Sequence, residues 1–164
     1  MSMDSLKDVY IDQMQDIYSA NEQSAKITRK LADAAKNSDL KAALQSGVEG
    51  IEQGMQKLKT LIEGHDADPQ GEHCKGMEGL VNEAQAHALD EDFGDDDARD
   101  AMIITQYQRM VHYGIAGYGC CKAFATRLGL DDEAKVLDEC LGNTYDGDEH
   151  MTAIATGQVN KAAA

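Results

Sequence analysis

A chain of 164 residues has room for one domain with a real core and too little for two. Its formal net charge of −15 is spread along the whole length and opposes binding to phosphate backbones or anionic lipid surfaces, so neither nucleic acid nor membrane is an expected partner. Apolar residues make up 42% of it, proline occurs once and tryptophan never, which favours helix over strand and predicts a single all-α domain over residues 1–164.

The start Met1-Ser2-Met3-Asp4-Ser5-Leu6-Lys7 has no apolar leader core and no 18-residue apolar run follows, which predicts a cytoplasmic protein. Cys74, Cys120, Cys121 and Cys140 lack Cys-x-x-Cys spacing, so no zinc site is expected. Cys120, Cys121 and Cys140 read as small buried apolar residues.

Leu6, Tyr10, Ile17, Ser24, Ile27, Leu31 and Ala35 follow helical spacing, and Asn37-Ser38-Asp39 ends the run. A second stripe, Leu40, Leu44, Val48, Ile51, Met55, Leu58 and Ile62, stops at Gly64, so the two form an antiparallel hairpin. Residues 65–72 hold the only proline and break the pattern; Met77, Leu80, Val81, Ala84 and Ala88 then predict a short helix. The acidic run from Asp90 to Asp97 lacks the Gly and Glu positions of a calcium loop and reads as a solvated turn with an Asp N-cap. A third long helix is predicted from about Ala98 to Leu128, ended by Gly129, and a fourth, capped by Asp131 or Asp132, ends near Gly157. Two hairpins joined by a long connection with its own short helix predict a ferritin-like four-helix bundle.

Several polar residues interrupt the inner stripes. Asn21 lies between Ile17 and Ser24, Glu49 and Glu52 sit at i and i+3 on the second helix, His112 follows Met110 and Val111, and Thr144 and Asp148 stand one turn apart on the fourth. A di-metal centre in such a bundle takes a Glu from each of two helices and Glu-x-x-His from each of the others, and this chain supplies part of that set. The other reading is a hydrogen-bonded layer of Asn21, Thr144 and Asp148 with the two glutamates in water. Gly114, Gly117 and Gly119 crowd the third helix, where close approach of a neighbouring helix or a second subunit is the expected reason.

These residues resemble the YciF-like family of bacterial ferritin-like proteins, which is associated with stress. The resemblance rests on Asp16-Ile17-Tyr18-Ser19-Ala20, on the crossover run from Cys74 to Ala84, on Arg99-Asp100-Ala101 and on the run from His112 to Gly119. It implies a ferritin-like fold, a homodimer and a di-iron-type carboxylate site. Against the family pattern this chain has Asn21 for a Glu, Glu49-Gly50-Ile51-Glu52 for Glu-x-x-His, Val111 and Gly114 for the glutamates beside His112, and Asp148 alone from the last cluster. The candidate metal residues are therefore Glu49, Glu52, Asp148, Asn21 and His112, and the expected cofactor is either none or a degenerate di-iron-type centre holding iron or manganese.

Three functional readings follow. The first is a non-catalytic stress-associated or structural protein that has shed the centre and acts through its surface and oligomer. The second is a redox or metal-binding protein with a rearranged carboxylate site, which leaves enzyme activity open. The third is a small-molecule pocket where metals would have been, since Gly114 in place of Glu removes volume there.

Overall fold

The computed structural model describes residues 3–164 and is helical throughout, with α1 (Leu6–Ala34), α2 (Ser38–Glu63), α3 (Lys75–Ala84), α4 (Asp96–Arg127), α5 (Asp131–Ile154) and a final turn α6 (Asn160–Ala162). Met1 and Ser2 of the leader reading lie outside the described residues. Two segments widen into π-helical turns, Gln85–Asp90 after α3 and Ala155–Val159 after α5, so the fourth long helix continues past the predicted stop at Gly157.

Most starts are written in side chains. Ser5 accepts from the Asp8 amide, the Asn37 amide oxygen accepts from Asp39 and Leu40, and Asp95 accepts from Asp97. Asn37 thus opens α2, and Ser38 and Asp39 are helical instead of ending the first run. The α5 start differs from the sequence expectation: Leu130 is the cap residue and no side chain caps it, while Asp131 and Asp132 lie in the first turn, where negative charge complements the helix dipole. Gly129, at φ 75°, supplies the left-handed residue that ends α4.

α1 and α2 form one antiparallel hairpin and α4 and α5 the other. At one end Asp100 of α4 accepts from the Lys36 and Asn37 amides, and at the other Glu133 of α5 meets Tyr10 of α1 and His65 beyond α2. The crossover, residues 64–95, therefore travels the full length of the bundle, with α3 lying against α1 and α4. This is the ferritin-like arrangement.

The core divides into two clusters along the bundle axis. One gathers Ile27, Leu31, Leu40, Leu44, Met77 and Ile103. The other gathers Tyr10, Met14, Ile17, Leu58, Ile62 and Leu137. Between them lies a band where Asn21, Ser24, Gly54, Gly114 and Thr144 replace large apolar side chains.

Candidate functional site

That band opens into a cavity of about 900 Å³ between α2 and α5, floored by α4 and α1. Two tyrosines of α4 form its inner wall, and the α2 glycines make room for them. A Cβ on Gly47 would collide with the Tyr107 hydroxyl, and one on Gly54 would come within 2.6 Å of the Tyr118 hydroxyl. The Asn21 amide donates to the Tyr118 hydroxyl at 2.8 Å. Ser24 and Thr28 return their hydroxyls to the α1 backbone, to the carbonyls of Asn21 and Ser24. Tyr107, 5% exposed, makes no side-chain hydrogen bond among the described residues.

The five residues singled out in sequence disperse around this cavity. Asn21 is buried in it as the partner of Tyr118. Glu49 stands exposed at its mouth, whereas Glu52 turns to the α1 side and pairs with Arg29. Asp148 faces the seam between α4 and α5, where its carboxylate oxygens lie 3.0 Å from His112 Nε2 and 3.2 Å from Gln108 Nε2. The polar layer of Asn21, Thr144 and Asp148 does not form, because Thr144 donates to the Cys140 carbonyl and Asp148 is taken by α4. Of the five, only His112 and Asp148 touch.

A di-metal centre requires carboxylates and imidazoles converging from all four helices. Among the described residues no group of three or more His, Cys, Asp or Glu side chains is placed to hold a metal ion, so the donor set does not fit that centre. The glycines of α4 divide as well. Gly117 receives Ile17, whose Cγ1 would lie 2.7 Å from an added Cβ, while Gly114 faces the cavity with only Thr144 within 4 Å and Gly119 faces open space. Close helix approach accounts for Gly117 alone.

Away from the cavity, Cys74 begins α3. Its thiol donates to the Tyr113 hydroxyl at 3.0 Å and accepts from the Met77 amide, and Tyr113 in turn donates to Asp16 at 2.8 Å. The crossover is thereby fastened to α1 and α4 at the residue that caps α3. Cys121 and Cys140 are buried as expected, but Cys120 is exposed.

Burial, with smaller contributions from Cys120 and Asp16, pushes the Cys121 thiol from 9.0 to about 12. Burial and then Asp148 push the Tyr107 phenol from 10.0 to about 12. Both groups ionise earlier in the unfolded chain, so the stability they lend is complete below their ordinary values and is lost as pH rises toward 12. Melting midpoints are expected to fall as pH is raised above about 9, with Cys121→Ala flattening the first part of the decline. A wild-type profile that stays level to pH 11 would contradict this.

No described helix is long and apolar enough to cross a membrane. A family profile described as a domain of unknown function, DUF892, matches residues 5–164. The chain is 32% identical to Protein YciF of Escherichia coli (strain K12), the alignment covering 99% of this chain and 98% of that one. Its structure is similar to the crystal structure of the E. coli stress protein YciF, with a TM-score of 0.89 over 97% of this chain and 99% of the other. It is also similar to YcfI of Rhodopseudomonas palustris, provisionally described as a structural protein, with 28% identity and a TM-score of 0.87 over 94% and 97% of the two chains.

Proposed function

We propose, from the premise that this chain belongs to the DUF892 family, that it is a non-catalytic, stress-associated helical-bundle protein in which the ferritin-type centre has given way to an open cavity. The observation that carries this reading is the separate employment of the candidate ligands. Asn21 serves Tyr118, Glu52 serves Arg29, and Asp148 serves His112 and Gln108, so these candidate ligands do not converge on one position. The names of the relatives, a stress protein and a structural protein, support it. On this reading the protein works as a symmetric homodimer, the commonest closed assembly, and a one-chain mass in light scattering would count against that part.

Protein purified anaerobically from iron-supplemented cells is expected to carry no stoichiometric iron or manganese. Asp148→Asn should move the melting midpoint by no more than about 3 °C, with or without a chelator, because its His112 partner is 64% exposed and such pairs contribute about 1 kcal/mol at most. About two irons per chain, with a chelator-sensitive midpoint that the substitution abolishes, would overturn the reading and restore the rearranged carboxylate site.

A further inference from the structure

The cavity has a shape and a charge that together select a ligand. Its lining runs along α2 from Asp39 to Lys57 and, from Cys140 to Gln158, along α5 and the π-helical turn that follows it. At a rise of 1.5 Å per residue that is a slot about 27 Å long. The space between the helices, about 900 Å³, is therefore elongated along the bundle. A linear molecule laid along the helices suits that form.

The walls carry unanswered negative charge. The lining basic residues are Lys57, already held by Glu139 at 3.0 Å, and His150; Asp39 is occupied by Gln158 at 2.8 Å. Glu49 and Asp146 make no ion pair or side-chain hydrogen bond among the described residues. The Lys57–Glu139 and Asp39–Gln158 contacts set the antiparallel register of α2 and α5, which puts Glu49 within a turn of Asp146 across the slot. An acyl carboxylate or a phosphate would be repelled there.

Beneath these carboxylates the hydroxyl of Tyr107, on a side chain only 5% exposed, is aimed into the space and left without a partner. A phenol oxygen accepts from an ammonium N–H, and a tyrosine ring face attracts a cation. Met110 and Val111 beside it suit methylene segments.

We propose that the α2–α5 slot binds a linear aliphatic polyamine, with ammonium groups received by Glu49 and Asp146 at the mouth and by the Tyr107 hydroxyl inside. This rests on the reading that the slot holds no metal pair. The test is calorimetric titration of the full chain, treated with chelator, with spermidine at about 0.15 M salt, where attraction between exposed charges is screened beyond about 8 Å. One spermidine per chain is expected. The Glu49→Gln/Asp146→Asn double variant should weaken it at least about tenfold and Tyr107→Phe severalfold, while Asp131→Asn/Asp132→Asn, which removes two carboxylates outside the slot, should leave it unchanged. Melting curves establish that each variant is folded at the titration temperature. No saturable binding, or equal weakening by the two double variants, would overturn the proposal, the second result marking diffuse attraction to an acidic surface. Metal analysis of the sample before chelation reports on the earlier reading by itself: iron there would sink that reading, while the chelated titration still decides this one.

Discussion

Replacing Asp100 by alanine is expected to destabilise the protein by about 3 kcal/mol, roughly a 10 °C drop in melting midpoint for a chain of this size. Asp100 is 1% exposed, and its two oxygens accept from the Lys36 amide at 2.9 Å and the Asn37 amide at 2.7 Å. Those amides form the turn between α1 and α2, so a carboxylate from the second hairpin completes the first. Alanine leaves both donors without an acceptor in a place that admits little water. Asparagine should cost nearly as much, because its amide nitrogen must face one of the two N–H groups. Asp97→Asn is the matched control, since Asp97 meets Lys36 only through an exposed ion pair and its loss should cost less than about 1 kcal/mol. Thermal melts followed by circular dichroism compare the three. An Asp100→Ala midpoint indistinguishable from that of Asp97→Asn would show that the turn holds without the carboxylate.

Gly54→Ala is expected to destabilise by about 2 kcal/mol even though alanine is the better helix former by about 1 kcal/mol. The added methyl would sit 2.6 Å from the Tyr118 hydroxyl, and that buried ring can retreat only by giving up its hydrogen bond from Asn21. The ring carbon behind the hydroxyl lies 3.7 Å from the same point, an ordinary contact. Tyr118→Phe removes the colliding atom, so in that background Gly54→Ala should become neutral or stabilising. The double-mutant cycle isolates this sign change from the separate cost of leaving Asn21 unpaired. If Gly54→Ala costs the same in the Tyr118→Phe background as in the wild type, the glycine is not making room for the hydroxyl.

The periodic features of the fold were legible in sequence because helical spacing repeats over many residues. Leu40, Leu44, Leu58 and Ile62 are buried as their stripe predicts, and the short crossover helix and the Asp cap of α4 follow local rules. What a stripe does not settle is azimuth. An apolar face spans about 100° of a helix, so a residue at its edge can look toward the bundle axis or toward the seam with one neighbour. Asp148 took the seam with α4, and of the neighbours Glu49 and Glu52 one reached the cavity mouth while the other turned to Arg29 of α1. The same uncertainty exposed Cys120.

The tyrosine wall was missed for another reason. Tyr107 and Tyr118 fit the α4 stripe and read as core, yet their polar ends reach past it to another helix. The signal was present in spacing: Gly47 and Gly54 lie two turns apart on α2, and Tyr107 and Tyr118 three turns apart on α4. Small residues on one stripe and long ones on the other describe a single surface only once the two helices are known to oppose each other across the bundle.

The placement of the four thiols gives the protein its own set of chemical reporters. Cys120 is open to a maleimide or an aromatic disulfide reagent in the native state, whereas Cys74, Cys121 and Cys140 are closed. Labelling should therefore proceed as one rapid event followed by three gated by structural opening. The gates differ: Cys74 reports release of the crossover, and Cys121 and Cys140 report loosening of the core cluster that holds Leu58 and Leu137. The order in which those three thiols become reactive would trace how the bundle comes apart, with no probe introduced.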